Sequence, residues 1–329
     1  MEPLESHVLF VDAAGTFEVG TIDQIDGTFV QTQAPTADFS PDWTHVVAVG
    51  PHILFVRNDG LFAVGHIDQI SGHYTETDGA AGAFSSPRFS PDWTHVVAVG
   101  PHVLLVRNDG RFEVGHIDES DRKYVQTDGG TRFSPGWTHV VAVGPHVLFV
   151  RNDGRYAVGH IDESNGTFVD TDSGTDFSPG WTHVVAVGPH VLFVRNDGRY
   201  AVGHINLSKG TFVGTASGTL VDPDSGTVFT ESTHVVAVGS RVLLGRNDEF
   251  WVVHIDEATS KYVRTQKGPG FPPDPIHVVA VGPRVLGVSP TTALGFVMHV
   301  NHLGQSVETQ SGPPFASDWT HVVAVAKCS

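Results

Sequence analysis

Five tryptophans stand at one repeated place in this sequence, each two residues before a histidine: Trp43, Trp93, Trp137, Trp181 and Trp319. A second short motif recurs with them, Arg57-Asn58-Asp-Gly, and again at Arg107-Asn108, Arg151-Asn152 and Arg195-Asn196. An indole beside a guanidinium, an amide and a carboxylate is the chemistry of sugar recognition. The ring covers the apolar CH face of a pyranose, and planar polar groups pair with its hydroxyls. Packing of the indole between sheets, and turn-forming by Asn-Asp-Gly, are the structural alternatives. The divergent copies favour the sugar site for the tryptophans. There the Trp position becomes Ser232 and Pro275 while His-Val-Val-Ala-Val survives, so about five competent sites are expected.

Twenty histidines outnumber the 19 Lys plus Arg. Three series account for most of them: His45, His95, His139, His183, His234, His277 and His321; His7, His52, His102, His146 and His190, continued by Arg241 and Arg284; and His66, His116, His160, His204, His254 and His299, with Thr21 at the seventh place. Imidazole is a common zinc or copper ligand. A two-residue Asp59-Gly60 turn, however, sets His52 opposite Ile67 and puts His52 and His66 on opposite faces of a sheet. No metal and no cofactor are therefore expected, and hydrogen bonding is the leading role for the histidines. Full protonation would carry the formal charge from −17 to +3, which makes pH sensitivity near 6.5 an expectation.

Catalytic chemistry has fewer candidates. The repeat is broken at Leu220–Ser225, Glu249–Trp251 and Ser289–Leu294. Asp222, Asp224 and Glu231 could form a carboxylate pair, but acids in a long loop are usually just solvated. No nucleophile elbow, HExxH-like motif or phosphate-cradling glycine loop is present.

The elements that position these groups follow from self-similarity. His-Val-Val-Ala-Val returns seven times at intervals of 43 to 51 residues, the period of propeller blades. From Trp137 to Asp172 each unit reads as four β-strands, A to D, with turns at Gly144-Pro145, Asn152-Asp153-Gly154 and Asn165-Gly166. Strands A and B are apolar on both faces and D alternates, as inner and outermost blade strands require. No segment carries a 3.6-residue period. The chain opens on a strand B at Ser6–Val11 and closes on a strand A at Trp319–Val325, so the last strand completes the first blade. The expectation is an all-β, seven-bladed β-propeller of four-stranded antiparallel blades in a single domain, 1–329. Its innermost strands fall near 44–50, 94–100, 138–144, 182–188, 233–239, 276–282 and 320–326.

The unit Phe-Ser-Pro-Gly-Trp-Thr-His-Val-Val-Ala-Val-Gly at 177–188, followed by a Leu-Phe strand, an Asp-Gly turn and Val-Gly-His-Ile-Asp, resembles the repeats of Photorhabdus-type seven-bladed propeller lectins. It is more distantly similar to tectonins and mushroom propeller lectins. The resemblance covers the whole chain and implies a multivalent, non-enzymatic lectin without a cofactor, whose partners are glycans or glycoconjugates. One departure is Val-Arg-Asn-Asp-Gly, where those lectins carry a more aromatic Phe-Tyr-Asn pattern. The alternative is a propeller enzyme with one site at the channel mouth, a polysaccharide lyase, a hydrolase or a small-molecule enzyme. A protein-interaction platform is a third reading.

Composition narrows the partners. With 19 basic against 36 acidic residues, the surface repels phosphate backbones and excludes nucleic acid. No run of 18 apolar residues occurs, so no membrane insertion is expected. The acidic N-terminus lacks a signal-peptide pattern, and a cytoplasmic protein, or one secreted without a cleaved signal, is expected. Cys328 is the one cysteine. It rules out an internal disulfide and leaves a linked dimer as an option.

Overall fold

The computed structural model describes residues 7–23, 25–37, 39–79, 89–246, 249–256, 258–259, 261–269, 277–289, 294–311 and 318–325. Cys328, Pro275 and the 290–293 segment lie outside them. The described residues form seven four-stranded antiparallel sheets, a seven-bladed β-propeller fold. Blade 1 is assembled from both ends of the chain: Trp319–Val325 is its strand A, then His7–Asp12, Phe17–Ile22 and Phe29–Thr36. His7 pairs with Val325 and Val11 with His321, which removes two open strand edges at once.

The other blades run in sequence order, with strand A at His45–Val49, Trp93–Val99, Trp137–Val143, His183–Val187, His234–Val238 and His277–Val281. Burial follows the residue pattern. Strand B of blade 2, His52–Val56, is buried at every position, whereas its blade 1 outer strand Phe29–Thr36 alternates between half-buried and exposed. Continuous β-branched runs fit only where both faces are covered.

Contacts divide the chain into two compact units. One comprises Met1–Pro135, Asp274–His299 and Val307–Ser329, and the other Gly136–Pro273 and Val300–Ser306. In the first unit, apolar cores lie between blades 7 and 1, 1 and 2, and 2 and 3. In the second they lie between blades 4 and 5 and blades 5 and 6. Neighbouring blades are also clasped at their outer strands. Thr32 Oγ1 donates to the Gly72 carbonyl at 2.9 Å in the first unit, and Thr171 Oγ1 to that of Gly210 at 2.7 Å in the second.

One expectation about register is corrected. The B–C hairpin turns through three residues, not two: Val56 pairs with Phe62, and Gly60 N–H donates to the Arg57 carbonyl. Gly60 sits at φ 85°, the left-handed residue that ends such three-residue loops. Because strand side chains alternate with period two, the one extra residue exchanges faces. His52 therefore lies directly opposite His66, not Ile67. The same glycine has a second constraint, since a Cβ on Gly60 would come within 2.2 Å of the Phe89 carbonyl oxygen in the loop that crosses it.

Candidate functional site

The indoles are placed inside the molecule. Trp43, Trp93, Trp137 and Trp319 are 6, 2, 9 and 2% exposed. Each packs on an aromatic or apolar strand B residue, Trp43 on Phe55 and Trp137 on Phe149 at 5.4 Å, Trp319 on Phe10 at 5.6 Å. No ring face is left for a sugar at these four positions. Blade 6 explains why the residue could disappear from the repeat. There Ser232 is buried, and Trp251 of strand C, paired with Leu244, is fully buried against Phe229 with ring centroids 4.4 Å apart. Trp251 stands where blade 2 has Ala63. The indole volume has moved from strand A to strand C, so its loss at 232 reflects exchange within a core.

The Arg-Asn-Asp-Gly groups are engaged in their own turns. Arg57, Arg107, Arg151 and Arg195 pair with Asp59, Asp109, Asp153 and Asp197 at 2.7 to 3.0 Å. The Asn58 and Asn196 carbonyls accept the backbone N–H of Asp92 and Glu231, and Asn152 Oδ1 accepts that of Gly180. Asp92, Glu231 and Gly180 each have positive φ at the loop position before strand A. Asn108 is an exposed turn residue. The motif locks the B–C turn to the loop entering the next blade.

The first histidine series serves the inner strands. Thr44 Oγ1 donates to the Val56 carbonyl and stands 3.1 Å from His45 Nδ1, an arrangement repeated at Thr94–His95, Thr138–His139, Thr182–His183 and Thr320–His321. On the far side of the ring, His277 Nε2 reaches the Trp319 carbonyl at 2.8 Å and His139 Nε2 the Thr182 carbonyl at 3.3 Å. Burial holds His45, His139, His183 and His321 below the ordinary histidine range, against a smaller opposing pull from the backbone of Thr94, Thr182, Thr233 and Thr44 in turn. Neutral, hydrogen-bonded imidazoles join adjacent blades within each unit.

The acids of the long 5–6 connection are also fastened. Leu220 and Phe229 carry the close contact, Leu220 N–H donating to Gly198 and Phe229 N–H to Leu220, so 221–228 is an excursion. Asp222 is 1% exposed and pairs with Arg264 at 2.8 Å and Lys267 at 2.9 Å. Its carboxyl is held far below the usual range, first by the Lys267 hydrogen bond. Lys267 in turn meets Glu249 at 2.5 Å, and Arg246 meets Glu249 at 3.0 Å. A carboxylate so stabilised in its charged form is a poor proton acceptor. Asp224 is bound by Arg264, and exposed Glu231 joins neither group. The cluster replaces a clasp: elsewhere Asp172 Oδ2 accepts the Phe212 N–H of the next blade, but blade 5 has Ala216 at that register.

A cavity opens on the other face of the same strand in the second unit. Gly214 of strand D (Thr211–Thr219) stands where blade 4 has Asp170. A hollow of about 460 Å³ lies there, within the range of small-molecule sites. Phe177, Trp181, Phe193 and Phe212 form its apolar wall, and Asp176, Ser178, Thr215 and Ser217 supply polar groups. The wall is preorganised, with Phe177 and Phe212 at 4.7 Å and Trp181 and Phe193 at 5.5 Å. Gly203 lets Phe212 lie flat across strand C, since a Cβ there would be 2.1 Å from its ring. Trp181, half-buried, is the predicted site tryptophan on this wall. Sequence reasoning missed the cavity, although Gly-Thr-Ala-Ser at 214–217 against Asp-Thr-Asp-Ser at 170–173 is its signature.

No protein-family model and no curated protein sequence matches the chain. Solved structures do match in fold. A putative 6-phosphogluconolactonase from Bacteroides uniformis aligns at TM-score 0.70 and 13% identity, over 98% of this chain and all of its own. A protein from Lactobacillus plantarum aligns at 0.68 and 15%, with the same coverage. The periplasmic gluconolactonase PpgL of Pseudomonas aeruginosa aligns at 0.64 and 14%, over 98% and 99%. At these identities the likeness is one of fold. It corrects the expectation of a non-enzymatic, multivalent lectin: two of these three full-length neighbours bear the names of lactone-hydrolysing enzymes, and the buried indoles remove the repeated stacking plates. The resemblance to Photorhabdus-type lectins holds for the seven-bladed fold.

Proposed function

We propose that this chain is a propeller enzyme that hydrolyses a lactone of a sugar acid in the cavity of blade 5. The observation that carries the proposal is the likeness, over 98% of the chain, to propellers named as gluconolactonase and 6-phosphogluconolactonase. The cavity supplies what such a reaction needs. Trp181 and Phe212 face the apolar side of a pyranose-sized ring, and the hydroxyls of Ser178, Thr215 and Ser217 meet its hydroxyl groups. The exposed Asp176 carboxylate takes the proton of a water attacking the lactone carbonyl. The C–O bond to the ring oxygen then breaks, and that oxygen leaves with a proton as the hydroxyl of the open acid.

Charge selects the substrate. Among the described residues no Lys or Arg lines the cavity, and the chain carries −17, so an uncharged lactone is favoured over a phosphorylated one. The test is base uptake at constant pH with D-glucono-1,5-lactone and its 6-phosphate. Hydrolysis above the spontaneous rate, faster for the uncharged lactone and lost in Asp176→Asn, is expected. Wild-type protein no faster than buffer with either lactone overturns the proposal.

A further inference from the structure

The corrected hairpin register has a chemical consequence in blade 4. His146 and His160 are cross-strand partners on one face. Their rings are 5.6 Å apart between centroids and inclined at 57°. His146 is 6% exposed, and the Nδ1 atoms of both rings are buried without a hydrogen-bond partner. Two buried, unpartnered imidazole nitrogens side by side are costly unless something is bound between them.

Other blades show what occupies the equivalent place. In blade 6 Arg241 is the partner of His254, and in blade 7 Arg284 is the partner of His299. In blade 2 the guanidinium of Arg122 lies 3.0 Å from His66 Nε2. Each of these three sites holds a cation of the protein's own beside an imidazole, while the Nδ1 atoms of His52, His254 and His299 stay buried without a partner, as in blade 4. Among the described residues, neither His146 nor His160 has a Lys or Arg hydrogen-bonded or ion-paired to it.

Distance then selects among the pairs. A ring nitrogen lies about 1.2 Å from the imidazole centroid and zinc about 2.0–2.1 Å beyond it, so two imidazoles on one tetrahedral or trigonal zinc have centroids about 5.2–5.6 Å apart. The His146–His160 separation meets this value. The pairs His52–His66, His102–His116 and His190–His204, at 6.2, 6.0 and 6.2 Å, are wider.

We propose that His146 and His160 form a binding site for a zinc-like divalent metal ion. No group of three or more His, Cys, Asp or Glu side chains is placed to hold a metal among the described residues. Two protein ligands leave the remaining coordination positions to water.

The test is calorimetric titration of the chelator-treated full chain with Zn²⁺, using His146→Arg and His160→Gln. His146→Arg installs the Arg–His pair that blades 6 and 7 already use, so it is expected to melt with the wild type while losing about one zinc equivalent. His160→Gln is expected to lose the same equivalent. The readout is metal stoichiometry, independent of any hydrolytic activity. Wild-type protein that takes up no zinc at about 100 µM metal, a concentration that detects even weak sites, overturns the proposal. So does a wild-type stoichiometry that survives in both variants.

Discussion

Exchange of indole volume between strands A and C can be tested by rebuilding blade 2 in the manner of blade 6. Trp43 is 6% exposed and shares a core with Phe55, Tyr74 and Ala63, the last 2% exposed. Truncating a buried Trp costs about 3–5 kcal/mol, and Trp43→Ser is expected to fall in that range. Ala63→Trp alone forces an indole into a filled core and costs about 1–3 kcal/mol. Made together, the two changes reproduce Ser232 with Trp251, which blade 6 packs with both residues buried. The double variant is expected to be more stable than the summed single losses by about 1–3 kcal/mol, the coupling of residues that share one space. Urea denaturation of the four proteins gives the cycle. Strict additivity would refute the exchange, and a Trp43→Ser cost below about 1 kcal/mol would refute a core role for the indole.

Further outcomes follow from other parts of the structure. Gly110→Ala places a Cβ 2.1 Å from the Phe133 carbonyl oxygen at φ 89°, whereas Gly144→Ala meets nothing within 4 Å at φ 58°. The first is expected to cost at least about 2 kcal/mol more than the second, since strain alone accounts for about 1–2, and urea midpoints measure the difference. The inner-strand histidines His45, His139, His183 and His321 have folded pKa values below the unfolded 6.5. In acid the unfolded chain binds more protons, so their contribution is fully present above about pH 6.5 and is lost as pH falls below it. Melting curves between pH 7.5 and 5 are expected to show that decline, and a flat profile would count against it. Asp222→Asn is expected to lower the melting temperature and speed amide exchange across 222–228, while Glu231→Gln, exposed and outside the ion cluster, leaves both unchanged.

Fold and site were unequally legible in the sequence. Blade number, strand order and closure by Trp319–Val325 follow from hydrophobic patterning and turn residues, because a sandwiched strand and an edge strand need different alternation. Register was less accessible. A single residue in the Asn58-Asp59-Gly60 turn decides whether His52 meets His66, and the motif Asp-Gly suits hairpin loops of two residues or three. The tryptophans misled for a different reason. A vanished Trp at 232 reads as freedom from packing only while its replacement, Trp251, is unplaced, and that requires tertiary contacts. The cavity depends on a side chain that is missing: Gly214 carries no chemistry of its own and matters through the acid it displaces.

The central claim is that blade 5 holds a site for lactone hydrolysis, and filling that site tests it most directly. Gly214→Asp restores the acid that blade 4 carries at the same register, and its Cβ would stand 3.9 Å from the Phe212 ring, against the cavity wall. Steady-state hydrolysis of D-glucono-1,5-lactone, corrected for the spontaneous rate, is measured for the wild type and for Gly214→Asp at matched folded fraction. Wild-type turnover, with at least about a tenfold loss in the variant, is the predicted result. Turnover unchanged by Gly214→Asp, or none in the wild type, would contradict it.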